Sequence, residues 1–299
     1  MPFGTLPLHA QMAERAGFGA FELSGGMSAW WAHGVADIGW LTLTEVVDLA
    51  GRVARAVDIP VFADADTGFG PAPINVWRST QEFIKAGIAG IHIEDQEEPK
   101  KGGGHGGIRL VADDEAVARL QAAVDAKNNL DPDFVIVART DGIGADGGSV
   151  DEAIRRGNLY LKEAKVDAIF IEGIHSWDDT RRAIAAIDGP TYVIPSLSCT
   201  RNEGTPSRAE LTEMGQIMQI INFTLPGVQA VWDLLLEVRD SGELAAADDY
   251  LRAIYEKSGT ENFVGLGNLL VRPDPDFARG LEDKYTPERL KRSYTKSEM

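Results

Sequence analysis

The segment Ala63-Asp64-Ala65-Asp66-Thr67-Gly68-Phe69-Gly70 sets two carboxylates two positions apart at the end of an apolar run. On a regular strand residues i and i+2 share a face, so Asp64 and Asp66 are expected to point the same way. Carboxylates held together repel and shift each other's pKa, and a hard divalent cation relieves that repulsion. The same residues also suit a polar strand end running into a glycine turn. A second run, Gly90-Ile91-His92-Ile93-Glu94-Asp95-Gln96, places His92 and Glu94 on one strand face. Glu94 suits a metal-bound water and His92 a substrate oxygen, although a strand histidine also serves as a satisfied core residue. In Val135-Ile136-Val137-Ala138-Arg139-Thr140-Asp141, Arg139 closes an apolar strand, where its charge is costly to bury without an anion. A substrate carboxylate in its two-point fork would satisfy it, as would an acid of the protein. Ile169-Phe170-Ile171-Glu172-Gly173 ends in another carboxylate. Leu23-Ser24-Gly25-Gly26 offers a hydroxyl and successive backbone N–H groups to an anionic oxygen.

The loop from Glu97 to Gly107 is dense in glycine and carries Lys100, Lys101 and His105. It lacks the spacing of a phosphate-binding P-loop. It reads either as a lid over an active site or as a plain surface loop.

These segments need a frame that brings them together. Short apolar runs ending in polar residues alternate with helix-period stretches such as VWRSTQEFIKAGIAG and DEAIRRGNLYLKEAKVDA. The runs are Ala20–Leu23, Val61–Ala65, Gly90–Glu94, Phe134–Arg139, Ala168–Glu172, Thr191–Pro195 and Gln216–Asn222, with Pro2–Thr5 as a stub strand ahead of them. Such alternation predicts parallel strands with crossover helices, and eight units close a (β/α)8 barrel of the TIM type. Strand ends and following loops then gather at one face, where all the segments above converge. We expect a catalytic barrel over residues 1–240 and a C-terminal helical extension and tail over 241–299.

The chain has 299 residues, 44% of them hydrophobic, which suffices for one barrel core. A net charge of −17 excludes general attraction to nucleic acid or anionic membranes. An anionic substrate must then meet a local cation, a metal or an arginine. Cys199 is the single cysteine, so no internal disulfide is possible, and a reducing, cytoplasmic setting is expected. No secretory leader and no membrane-length apolar run is expected.

Taken in order, DADTGFG, GIHIEDQ, the PKK…GH loop, VIVARTD and AIFIEG resemble the isocitrate lyase/phosphoenolpyruvate mutase superfamily. The likeness spans roughly Phe3 to Val238 and is greatest to the methylisocitrate lyase/dimethylmalate lyase branch. The resemblance implies a barrel enzyme, a homodimer or homotetramer that swaps C-terminal helices, and Mg²⁺, with Mn²⁺ as the alternative ion. It implies Mg²⁺ on Asp64 and Asp66, with Glu94 and Glu172 completing its water shell. It also implies that Ser24, Gly25 and Gly26 hold the oxo acid, Arg139 its carboxylate, and His92 the oxyanion. The implied activity is carbon–carbon cleavage of a substituted 2-hydroxy di- or tricarboxylate through an enolate of a 2-oxo acid.

Three departures bear on that activity. The lyases carry a lid cysteine as acid, and this loop has none, so His105, Lys101 or a water must act instead. Trp30 and Trp31 follow the Ser-Gly-Gly segment where relatives have small residues, and they suit a bulkier substrate or a subunit contact. The chain also begins almost inside the first strand, so the start lies upstream or a partner closes the barrel bottom. A 2-oxo acid decarboxylase or carbon–carbon hydrolase of the oxaloacetate type is the alternative. Carbon–phosphorus chemistry on phosphonopyruvate and a non-catalytic metal-binding barrel fit less well.

Overall fold

The computed structural model describes residues 1–102, 106–195, 197–257, 260 and 275–290. By internal contacts the chain divides into two units, Met1–Thr224 and Leu225–Met299. The division falls at the start of the helix Thr224–Ser241, not near its end where the sequence reading set it.

The first unit carries eight strands: β1 (Pro2–Gly4), β2 (Phe21–Leu23), β3 (Val61–Asp64), β4 (Gly90–Glu94), β5 (Val135–Thr140), β6 (Ala168–Ile174), β7 (Thr191–Pro195) and β8 (Ile221–Asn222). All named pairings are parallel, in the order β7-β6-β5-β4-β3-β2-β1-β8. Between them run α1 (Pro7–Arg15), α2 (Gly25–Met27), α3 (Leu43–Ala54), α4 (Pro73–Lys85), α5 (Asp113–Leu130), α6 (Val150–Leu159), α7 (Trp177–Ala186), α8 (Leu197–Glu203) and α9 (Arg208–Glu213). Wider π-type turns extend α2 over Ser28–His33 and α6 over Tyr160–Ala164. Helix starts follow their sequence signals. Thr42 and Glu45 form a reciprocal cap on α3, and Ser149 and Ser176 cap α6 and α7.

The eighth strand was expected over Gln216–Asn222, but pairing is confined to its ends. Gln216 bridges Thr191 of β7, and Ile221 and Asn222 pair with Pro2 and Phe3 of β1. The Gln216 amide donates to the carbonyls of Val193 and Met218. This one segment therefore touches both sheet edges and rounds the sheet into a barrel.

Side-chain alternation splits the strands between two cores. Phe21, Leu23, Val61, Ala63, Ile91, Ile93, Ile136, Ala138, Ile169 and Ile171 pack outward against the helices. Phe62, Val137, Phe170, Tyr192 and Ile194 fill the barrel interior. Both faces are covered, so the strands read as continuous apolar runs. The inward parity also includes Glu22, Asp64, His92, Glu94, Arg139 and Glu172, and this selection is what builds the site.

The second unit is helical, with α10 (Thr224–Ser241), α11 (Ala245–Tyr255) and α12 (Pro275–Tyr285).

Candidate active site

A cavity of about 190 Å³ opens at the C-terminal strand ends and is bordered by Ser24, Gly26, Asp37, Asp64, His92, Arg139 and Glu172. A larger groove of about 670 Å³ runs past Glu97, Arg109 and Arg155. Its cations are already spent on surface ion pairs, Arg109 with Glu97 at 2.9 Å and Arg155 with Asp113 at 2.6 Å. The smaller cavity gathers the acids together with His92 and Arg139.

Asp64 and Asp66 do converge, though not by the pleat that the sequence suggested. β3 ends at Asp64, and Asp66 sits in a left-handed turn at φ 46°. The turn is stapled to β4: Glu94 N–H donates to the Asp66 carbonyl at 2.9 Å, and Ala65 N–H to the His92 carbonyl at 3.0 Å. Asp66 N–H donates to Asp64 Oδ1 at 2.9 Å. Gly25 must be glycine beside this pair. A Cβ there would lie 2.6 Å from Asp64 Oδ2 and 3.2 Å from Asp66 Oδ1. With Gly in place, its N–H donates to Asp64 Oδ2 at 3.2 Å.

Electrostatics separate the acids. Burial by itself would raise the Asp64 pKa, but His92, Lys100 and Arg139 outweigh it and hold the group at about 2. Burial, helped by the Asp64 charge, lifts Asp66 to about 6 despite Lys100. Desolvation at the cavity wall lifts the half-buried Glu172 to about 7 against the pull of Arg139. Burial drives Glu94 well above the usual carboxylate range, and neither of its oxygens has a hydrogen-bond partner. Arg139 Nε is 3.4 Å from Glu94 Oε2, a charge contact without hydrogen-bond geometry.

Arg139 is gripped from behind. Its Nε and Nη2 donate to the two oxygens of Asp141 at 3.0 and 2.9 Å. Its guanidinium carbon stands 5.3 Å from the Phe170 ring centre. Asp141 in turn is fixed by Asp95, which accepts its backbone N–H at 3.0 Å. His92 Nε2 is 3.2 Å from Glu22 Oε1, and its Nδ1 is 3.7 Å from Asp64 Oδ1, too far for a hydrogen bond. Burial would lower the His92 pKa, but Asp64 and Glu22 reverse this and raise it. Ser24 borders the cavity, with its hydroxyl accepting the Met27 N–H at 3.3 Å as a helix cap.

The two loop lysines exchange importance. Lys100, 2% exposed, places Nζ 2.5 Å from Asp37 Oδ1 and 2.8 Å from Asp66 Oδ1. Lys101, the lysine singled out from sequence, turns its ammonium to the Pro99 carbonyl at 2.9 Å. Its backbone is pinned by Gln96, which accepts the Lys101 N–H at 2.8 Å and donates to its carbonyl at 2.9 Å. His105 lies outside the described residues. Trp31 packs edge-on to His9 at 6.2 Å, Trp30 is exposed, and neither borders the cavity. Glu22, Asp37, Lys100 and Asp141 were missed as site residues. Strand parity with Ser24 marks Glu22, and the i+2 spacing from Arg139 marks Asp141. Loop residues Asp37 and Lys100 carry no periodic signal.

Among the described residues, no three Asp, Glu, His or Cys side chains converge closely enough to ligate an ion on their own. Apart from His92 the candidate ligands are nevertheless hard carboxylate oxygens, and neither oxygen of the buried Glu94 carboxyl has a hydrogen-bond partner. That chemistry fits a divalent ion with few direct protein ligands and a retained water shell, which is the habit of Mg²⁺.

Fold and cavity together define a β/α-barrel protein with an acidic, cation-flanked pocket at the functional end of its strands. The chain belongs to the phosphoenolpyruvate phosphomutase family, whose model matches residues 7–236. It is 45% identical over 184 residues to 2,3-dimethylmalate lyase of Eubacterium barkeri, covering 61% of each chain. The chain thus spans about three-fifths of the length of the curated relatives it matches. Among solved structures it is similar to phosphoenolpyruvate phosphomutase from Streptomyces platensis subsp. rosaceus, with TM-score 0.78 and 30% identity over 96% of this chain and 94% of that one. It is also similar to oxaloacetate acetylhydrolase in complex with 3,3-difluorooxalacetate, with TM-score 0.73 and 28% identity over 88% and 92%.

Proposed function

We propose that this chain is a divalent-metal-dependent carbon–carbon lyase acting on a substituted 2-hydroxy di- or tricarboxylate. One observation carries the reading: acidic groups and Arg139 border one small cavity, and the buried Glu94 carboxyl has no hydrogen-bond donor among the described residues. Asp64 and Asp66 are assigned to hold Mg²⁺ or Mn²⁺, with Glu94 and Glu172 acting through its water. When bound, that ion supplies positive charge to the oxygen of the 2-oxo acid. Arg139 holds the substrate carboxylate, its plane fixed by Asp141. Gly25 and Gly26 let the backbone approach the acid, and His92 donates to the oxygen that gains charge. Electron counting refines the intermediate expected from sequence. In cleavage of a 2-hydroxy acid the 2-oxo acid leaves as the carbonyl product, and the electron pair goes to the other fragment. The proton that fragment regains is assigned to the lid, where His105 is the candidate.

A second reading, hydrolysis of an oxaloacetate-type 2-oxo acid, is favoured by the likeness to oxaloacetate acetylhydrolase and by the lid without cysteine. Assembly as a homodimer or homotetramer is supported by α10, which leaves Val231, Trp232 and Leu235 exposed. No helix among the described residues is long and apolar enough to cross a membrane. A reducing, cytoplasmic setting remains our proposal from the single cysteine.

Oxalate, a flat dianion with the carboxylate and adjoining oxygen of a 2-oxo acid, tests the site. Thermal stability should rise with oxalate only when Mg²⁺ is present. Absence of any shift with both would contradict the reading.

A further inference from the structure

Glu22 borders the cavity but has no part in the metal-holding set. It lies on the inner face of β2, is 4% exposed, and spends Oε1 on His92. Its Oε2 has no hydrogen-bond partner. The Tyr192 hydroxyl, also buried in the barrel interior, has none either. Nearby walls are apolar: Phe170, Ile194 and Ile220. A buried carboxylate oxygen without a donor carries a desolvation penalty, which a ligand donor removes. A third substrate carboxylate would be repelled by Glu22. An ammonium would bring three donors to a corner with apolar walls, where Glu22 Oε1 is already 3.2 Å from His92 Nε2. A neutral hydroxyl satisfies both constraints.

We propose that Glu22 Oε2 binds the 2-hydroxyl of the substrate and takes its proton as the carbon–carbon bond opens. The inference rests on the lyase reading. The O–H bond breaks and its proton passes to Glu22. The freed electron pair forms the C=O bond of the 2-oxo acid. The C2–C3 pair stays with C3, next to that fragment's own carboxylate, and C3 later regains a proton. No further reactant is needed. Glu22 therefore makes the 2-hydroxyl a requirement of the site.

The test uses the full chain with Mg²⁺ and calorimetric titration of malate, both enantiomers, against succinate, which differs only by the hydroxyl. In the wild type one malate enantiomer should bind at least tenfold tighter than succinate, the span of a hydrogen bond to a charged group. In Glu22→Met that ratio should fall at least tenfold. In Glu22→Gln, which keeps size and one oxygen, it should fall at least threefold. A ratio unchanged in Glu22→Gln overturns the proposal even if Glu22→Met does not fold. Failure of oxalate to bind the wild type would instead defeat the lyase reading, independently of Glu22.

Discussion

Asp95 decides whether Arg139 is held from behind. Its Oδ1 accepts the Asp141 N–H at 3.0 Å, and its Oδ2 accepts the Thr140 and Tyr160 hydroxyls, both at 2.7 Å. Arg156 Nη1 stands 3.4 Å from the same Oδ2. Asp95→Asn preserves shape but leaves one oxygen. If that oxygen keeps the Asp141 N–H, the new NH₂ faces Arg156, donor against donor, and a buried guanidinium loses a counter-charge. Breaking a buried pair from one side costs roughly 3–5 kcal/mol. Arg156 Nε keeps Glu152 at 2.8 Å, so the low end applies. The expected loss is about 3 kcal/mol, or a Tm lower by roughly 6–12 °C in a domain of this size. Tyr160→Phe removes one hydrogen bond and should cost about 1 kcal/mol. Because Asp141 carries the fork on Arg139, Mg²⁺-dependent oxalate affinity should fall about tenfold in Asp95→Asn and less than threefold in Tyr160→Phe. Calorimetric melting and titration check both. An Asp95→Asn protein that melts within 2 °C of wild type (roughly under 1 kcal/mol) and binds oxalate normally would refute the network.

Other consequences follow from the same geometry. Lys100→Met leaves Asp37 and Asp66 facing each other and should lower stability by roughly 3 kcal/mol, whereas Lys101→Met should stay within about 0.5 kcal/mol. Denaturant midpoints distinguish them, and the reverse order would show that the wrong lysine has been placed in the site. Asp66, lifted to about 6, Glu172, lifted to about 7, and His92, also raised, all hold protons more tightly in the fold than in the unfolded chain. Their contribution is present at low pH and is lost as pH rises through about 6 to 7. Chelator-treated protein should therefore lose stability from pH 5 to pH 8, and Mg²⁺ should restore more of it at pH 8. Urea melts that show the opposite slope would contradict the charge assignment. Asp64→Ala should abolish Mn²⁺ binding, read by electron paramagnetic resonance, together with turnover. Wild-type turnover in that variant with chelator present would remove the metal role.

Much of the fold was legible because the barrel imposes one rule on every strand. Runs such as VIVART and AIFIEG are apolar throughout since both faces are covered, and their polar ends mark the functional mouth. Arg139 and Glu172 were singled out by strand-end position, and the parity rule, which pairs Glu94 with His92, places all three on inward faces. It failed at Asp66, because the chain leaves β3 and turns left-handed one residue after Ala65. β8 was overlong in the sequence reading: Gln216, Ile221 and Asn222 pair, but residues 218–220 between them join no strand. Lys100 and Lys101 could not be ranked, since a glycine-rich loop has no period to say which side chain turns inward. Asp95 faces the helix side and meets Arg156 and Tyr160 across more than sixty residues, a contact without a local signal. Glu22 obeyed the parity rule and was overlooked because a lone acid in AFELS belongs to no motif.

The central claim is tested most directly by incubating the wild-type chain with a panel of 2-hydroxy di- and tricarboxylates and detecting released 2-oxo acid, pyruvate or glyoxylate, by coupled reduction. The account predicts release from at least one substituted 2-hydroxy acid, abolished by chelator and restored by Mg²⁺. Release that ignores chelation, or no release from any member of the panel, would contradict it.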